Sequence, residues 1–126
     1  MLGICLGMQL ISEGSDEGKQ RGFGWIEGFS KKFSFERHDL KIPHMGWNNI
    51  EIDKEHFILN NLKNNPRFYF SHGYHVECKY NNVVANTNYG YNFPSIIAKD
   101  NVIGVQFHPE KSHKFGMEIL KNFYDI

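Results

Sequence analysis

Leu2-Gly3-Ile4-Cys5-Leu6-Gly7-Met8-Gln9 is the stretch that decides the fold. Residues 2–4 are apolar and read as the end of a buried strand. Residues 6–12 read as a short helix stopped by Gly14. A strand that passes straight into a helix through Gly-x-Cys-x-Gly makes an elbow, with its central side chain displayed on a tight turn. On this reading Gly3 and Gly7 are glycines because a side chain at either place would clash across the turn. Amides at a helix N-terminus favour an anion, so they are expected to lower the Cys5 pKa and enrich its thiolate. The N–H of Leu6 is expected to point toward an oxyanion. A buried cysteine at an apolar strand end is the plainer alternative for these five residues alone.

Working outward, the chain has 126 residues, enough for a single domain spanning 1–126. It is 40% hydrophobic and 15% aromatic, so it has the apolar surface to fill one core. Lys plus Arg and Asp plus Glu are 14 each, and the net charge is +0. Nucleic-acid binding is not expected without a basic excess. Lys31-Lys32 reads as a solvated strand edge. No run approaches the length of an apolar membrane span, and mean hydropathy is −0.49. The first residues have no basic n-region and no long apolar stretch, so a reducing cytoplasm is the expected compartment. Cys5 and Cys78 are then free thiols, Cys78 as a buried strand residue. Of seven histidines only His72 and His75 lie close in sequence, without a cysteine or carboxylate at ligand spacing, so no metal is expected.

Further elements follow from pattern. Residues 14–24 read as loop. Residues 25–35 read as a strand with Trp25, Phe29, Phe33 and Phe35 on one face. A turn at Pro43-His44-Met45-Gly46 leads to a strand over 47–52. Residues 57–62 read as a short helix ending before Pro66. Strands are expected at 67–70, 74–79 and 83–88, with a hairpin of 95–98 and 102–107 through Asp100-Asn101. Phe115, Ile119 and Phe123 recur every four residues, flanked by Met117, Leu120 and Tyr124, and predict a terminal helix with one apolar face. Asn60-Asn61, Asn64-Asn65 and Asn81-Asn82 mark turns.

Phe107-His108-Pro109-Glu110 is the second segment with chemical content. In extended chain, residues two apart share a face, so His108 and Glu110 are expected to meet. Imidazole serves as base and then acid near neutral pH, and a carboxylate on its far nitrogen fixes the tautomer. Pro109 cannot continue a central ladder, which puts the segment at a strand end. A surface turn is the plainer reading of His-Pro-Glu alone. With a cysteine elbow upstream it becomes a Cys5, His108, Glu110 triad.

Gly3-Ile4-Cys5-Leu6-Gly7-Met8-Gln9 and Gly104-Val105-Gln106-Phe107-His108-Pro109-Glu110-Lys111-Ser112 resemble the two signatures of class I (triad) glutamine amidotransferases. Pro43-His44-Met45-Gly46-Trp47-Asn48 and Phe68-Tyr69-Phe70-Ser71-His72-Gly73-Tyr74 resemble one branch, the glutaminase subunits of imidazole glycerol phosphate synthases. The resemblance implies an α/β, three-layer, flavodoxin-like amidotransferase fold from the nucleophile elbow onward. It implies that Cys5 attacks the amide of glutamine, that His108 shuttles the proton and that Glu110 orients His108. The Leu6 N–H would serve the oxyanion, and Gly7, Gln9, His72, Gly73 and Tyr74 would hold the substrate. Many members carry a hydroxyl residue where Gly73 stands, so its contact is expected from the main chain. Trp47 and Asn48 are implied at the mouth where a (β/α)8-barrel cyclase docks and receives ammonia. No cofactor is implied.

Such subunits run to about 200 residues, so about 80 are expected to precede the elbow, including a glycine-rich loop with a second oxyanion donor. Three alternatives remain open. A paralogue would feed ammonia to another synthetase, for example one aminating a surface sugar. A truncated chain would be a non-catalytic interaction domain. A cysteine protease or α/β-hydrolase would share the elbow alone.

Overall fold

The computed structural model describes residues 1–16, 18, 21–36, 39–62 and 65–125. A five-stranded mixed sheet is its centre, in the order β1 (Leu2–Ile4), β9 (Val102–Val105), β8 (Tyr91–Lys99), β7 (Val83–Tyr89), β4 (Glu51–Ile52). β1 and β9 are parallel, and the other pairs are antiparallel. Helix α1 (Leu6–Ile11) follows β1 at once, and helix α2 (His113–Tyr124) closes the chain. Two antiparallel ribbons complete it: β2 (Gly28–Lys32) with β6 (Tyr74–Cys78), and β3 (His44–Asn49) with β5 (Arg67–His72).

The side-chain alternation of β8 sorts these parts into layers. Ile97 packs with Met8 and Ile11 of α1, with Ile26, and with Val76 of β6. Its neighbour Ile96 points to the other side, into a larger core with Phe68 and Phe70 of β5 and Ile119 of α2. One helix and one ribbon therefore cover each face, and this is the expected three-layer α/β arrangement. No helix among the described residues is long and apolar enough to cross a membrane.

Several elements differ from expectation. The 25–35 strand shrinks to Gly28–Lys32 because residues 25–27 bend, and its buried side chain is Ser30, while Phe29 and Trp25 are exposed. Only Phe33, past the strand end, is buried as foreseen. The turn expected at 43–46 is strand: β3 starts directly after a cis Ile42–Pro43 bond, and six residue pairs with β5 extend it through His44. β4 is a separate strand in another sheet. Residues 57–62 form only a 3-10 turn, Phe57–Leu59, and Asn61 follows with φ 63°. Helix α1 stops before Gly14, at Ser12, whose Oγ donates to the Gln9 carbonyl at 2.6 Å. On α2 the apolar face is narrower than predicted. Ile119 is buried, Met117 and Tyr124 face outward, and Asn122 is buried, donating to the carbonyls of Ile58 and Asn60 at 2.9 and 2.7 Å. The hairpin through Asp100-Asn101 forms, with Asp100 at φ 55°. Residues 17, 19 and 20 of the expected 14–24 loop, and Asn64, lie outside the described residues.

Candidate functional site

Parallel pairing of β1 with β9 sets Gly3 beside Gly104 and Ile4 beside Val105, so both strands end at one corner. Cys5 leaves β1 there. Its N–H donates to the Val105 carbonyl at 2.8 Å, and its backbone sits at φ 52°, ψ −103°. A non-glycine residue in such a conformation costs about 1–3 kcal/mol, which the surrounding packing must offset. The elbow is thus present as expected. Its two glycines have different reasons. A Cβ on Gly3 would come within 2.6 Å of the Gly7 carbonyl oxygen and of Ile11 Cδ1, whereas a Cβ on Gly7 would meet nothing within 4 Å. The expected clash across the turn holds at Gly3 and not at Gly7.

The thiol of Cys5 is partly buried and lies 3.7 Å from the Ser71 carbonyl, to which it donates. Gln106 Nε2 donates to the sulfur, also at 3.7 Å. Burial raises the thiol pKa above its ordinary value. The Leu6 N–H, the Gln106 amide and the Lys111 charge oppose this, and Glu110 adds to it. The expectation of a lowered pKa is therefore corrected: a first-turn N–H on a six-residue helix does not overcome desolvation.

His108 follows β9 at the same corner. Its N–H donates to the Tyr69 carbonyl at 2.9 Å. Buried Ser112 locks the same segment, its Oγ donating to the His108 carbonyl at 2.6 Å and accepting from the Tyr69 N–H at 2.9 Å. His108 Nδ1 and Glu110 Oε2 are 3.0 Å apart. They meet because Pro109–Lys111 is a 3-10 turn, not because the chain is extended there. The hydrogen-bond partners of the thiol are Gln106 and Ser71, and the imidazole is not among them.

Gln9 is buried, and its Nε2 donates to the Tyr74 carbonyl at 3.5 Å. His72 Nδ1 lies 2.7 Å from the same oxygen. Gly73, between them at the β5–β6 bend, accepts from the Phe33 N–H at 3.1 Å. The structure thus brings together Gln9, His72, Gly73 and Tyr74. Trp47 and Asn48 turn opposite ways along β3. The Trp47 ring is exposed and lies flat on His113, with centroids 5.4 Å apart and planes 5° apart. Asn48 Nδ2 instead donates to the Asn88 carbonyl at 3.0 Å and contacts His44 Nε2 at 3.2 Å. Cys78, in β6, is partly buried, and burial pushes its thiol up to about 11. Among the described residues no group of three His, Cys, Asp or Glu is placed to hold a metal ion.

Sequence reasoning passed over Gln106 and Ser112. Gln106 had a signal, because it interrupts an apolar run and a buried polar side chain at a strand end needs a partner. Ser112 had only its place at the end of the 104–112 segment. His44 was passed over too, because its partner His72 lies across a ribbon.

The family model described as "Glutamine amidotransferase class-I" matches residues 1–126. The chain belongs to the class I glutamine amidotransferases. The imidazole glycerol phosphate synthase subunit HisH of Leptospira borgpetersenii is 48% identical over 129 residues, covering 100% of this chain and 63% of that protein. Subunit HisH 2 of Methanococcus maripaludis is 48% identical over 124 residues, covering 98% of this chain and 61% of that protein. The amidotransferase chain therefore spans less than two thirds of these relatives. Among solved structures, a glutamine amidotransferase superposes with a TM-score of 0.64 at 16% identity, covering 98% of this chain and 60% of that one. Another from Thermotoga maritima gives 0.56 at 17% identity, covering 98% and 46%. At such identity these two speak for the class I amidotransferase fold alone.

Proposed function

We propose that this chain is the glutaminase part of an imidazole glycerol phosphate synthase, releasing ammonia from glutamine for a (β/α)8-barrel cyclase in histidine synthesis. The observation that carries this reading is the shared corner. Adjacent parallel strands end together, one in the elbow cysteine and the other in a hydrogen-bonded His108–Glu110 pair. The likeness to HisH subunits over the whole chain supports the choice of branch.

A thiol raised by burial arrives protonated, so attack requires a base. His108 takes the Cys5 proton as the sulfur attacks the side-chain carbonyl carbon of glutamine. The resulting oxyanion faces the Leu6 N–H. The imidazolium returns its proton to the amide nitrogen, the C–N bond breaks, and ammonia departs. Water, deprotonated by the same imidazole, attacks the thioester, releasing glutamate and the thiol. Glu110 holds Nδ1–H of His108 and stabilises the imidazolium. Catalytic hydrogen bonds in an empty site are commonly long and tighten with substrate, so the thiol reaches the imidazole once glutamine displaces its present partners. Gly7 leaves room above the elbow, and Gln9, His72, Gly73 and Tyr74 form the wall that holds the amino-acid end. Trp47, on the outer face of β3, belongs to the docking rim, and Asn48 stands behind it.

The test is glutamate release from glutamine by the full gene product, with and without a barrel cyclase. Turnover that Cys5→Ala and His108→Asn each reduce by about 10³-fold or more is expected. Near wild-type turnover in either variant overturns the triad. Wild-type turnover that leaves no ammonia to a cyclase overturns the branch.

A further inference from the structure

His44, His72 and Asn48 are joined in a way the triad does not use. His44 is 3% exposed and His72 5%. His44 Nδ1 lies 3.0 Å from His72 Nε2, across the register pair His44↔His72 that joins β3 to β5. The outer nitrogen of each ring is also engaged: His72 Nδ1 at 2.7 Å from the Tyr74 carbonyl, and His44 Nε2 at 3.2 Å from Asn48 Nδ2. The ring planes are fixed. Phe70 and Tyr89 stack on His44 with centroids at 4.8 and 4.0 Å, and Phe33 and Phe93 flank His72 at 5.1 Å each.

The proton positions follow from both ends. A carbonyl only accepts, so His72 carries its hydrogen on Nδ1 and leaves Nε2 as acceptor. At the other end, Asn48 Oδ1 accepts from the Asn49 N–H at 2.8 Å and Nδ2 donates to the Asn88 carbonyl at 3.0 Å. Those two contacts fix the amide orientation, so Nδ2 also donates to His44 Nε2. His44 must then carry its hydrogen on Nδ1, which is the donor His72 Nε2 requires. A proton added to either ring would set two donors face to face.

We infer that Asn48, His44 and His72 form a neutral relay of hydrogen bonds, all directed from β3 toward the Tyr74 carbonyl, and that His44 is a positioning residue for the glutamine pocket. That carbonyl is the group Gln9 also donates to. The relay holds the β5–β6 bend in place from behind and ties it to the strand that carries Trp47. The word pocket rests on the proposed function; the relay rests on the hydrogen bonds alone.

Two measurements test it. Long-range proton–nitrogen correlation spectra of the histidine-labelled full gene product should show both His44 and His72 neutral and protonated on Nδ1 at pH 7. An Nε2–H tautomer or an imidazolium at either residue overturns the relay. In the kinetic arm, His44→Phe keeps the flat ring but leaves buried His72 Nε2 without a donor. It should raise KM for glutamine about tenfold, with a smaller change in kcat. His44→Asn, whose amide N–H falls where Nδ1–H was, should recover most of the loss. Equal behaviour of the two variants, or a fall in kcat with KM unchanged, overturns the positioning role. A wild-type protein with no glutaminase activity defeats the proposed function instead, and the spectra then decide the relay without any substitution.

Discussion

The elbow corner and the β3–β5 ribbon treat their polar groups in opposite ways. At the corner, valences are left over. Among the described residues the Cys5 thiol has two hydrogen-bond partners, both at 3.7 Å, and the buried Gln106 Oε1 has none. Glu110 is exposed. In the ribbon, both nitrogens of His44 and of His72 and both amide atoms of Asn48 are engaged. A buried polar group without a partner costs about 1–3 kcal/mol. An open valence leaves room for another group to bind, and a saturated network holds the shape it spans. The corner is equipped to react and the ribbon to hold position.

The largest effect is expected where the corner leans on α2. Gly116 lies so close to the His-Pro-Glu turn that a Cβ there would overlap the Pro109 carbonyl oxygen. Backbone cannot yield as a flexible side chain does. Gly116→Ala should lose about 3 kcal/mol of stability and, by displacing His108 and Glu110, most of the activity as well. Denaturant unfolding followed beside glutamate release reads both. A wild-type midpoint would mean that the turn is softer than the ribbon comparison requires.

The two regions should also fail at opposite ends of the pH scale. Burial lowers His44 to about 4 and His72 to about 3, and the charges of His44, His75 and His108 further oppose protonation of His72, against the Tyr74 carbonyl that favours it. A lowered imidazole pKa contributes stability that is complete above the ordinary histidine range. It is lost as pH falls through that range toward the folded values. The corner thiol of Cys5 is raised, and outside both regions Cys78 in β6 is raised to about 11, so the contribution of each is intact below the ordinary thiol range and lost as pH rises. Stability against pH, followed through the melting temperature, should therefore fall on both sides, with a loss on the order of a few kcal/mol on the acid side. His44→Asn should flatten the acid limb, and Cys5→Ala should shallow the alkaline one. An acid limb unchanged by His44→Asn would break the contrast.

The same contrast explains what the sequence made legible. The corner is written in consecutive residues: Gly3 to Gly7 gives the elbow, and His108-Pro109-Glu110 gives the pair, so a motif suffices. Even there three inferences failed: burial raises the Cys5 thiol instead of lowering it, a Cβ on Gly7 meets nothing, and a 3-10 turn, not extended chain, brings His108 to Glu110. The ribbon is written across strands. That His44 meets His72 depends on the register between residues 28 apart, which no local pattern carries. Phe29 and Ser30 show the related limit. Alternation identified a strand but not its inner face, because a two-stranded ribbon packed over a loop can bury its small residue and leave the ring outside. Asn122 was invisible for a third reason. It is buried to satisfy the carbonyls of Ile58 and Asn60, and apolar periodicity does not register polar groups with such duties.

The smallest effect separates the two glycines of the elbow. Gly3→Ala should cost about 1–3 kcal/mol, since its Cβ would sit 2.6 Å from backbone oxygen on the next turn. Gly7→Ala faces open space. Within α1 it replaces the residue with the larger backbone entropy, so stability should hold or rise by about 0.5–1 kcal/mol. If that space is where glutamine lies over the thiol, the added methyl should instead raise KM severalfold while the protein melts no lower. A KM equal to wild type would detach the open space from the pocket. Equal destabilisation by both alanines would return Gly7 to the turn, and the corner would then lose its one glycine that serves the ligand and not the fold.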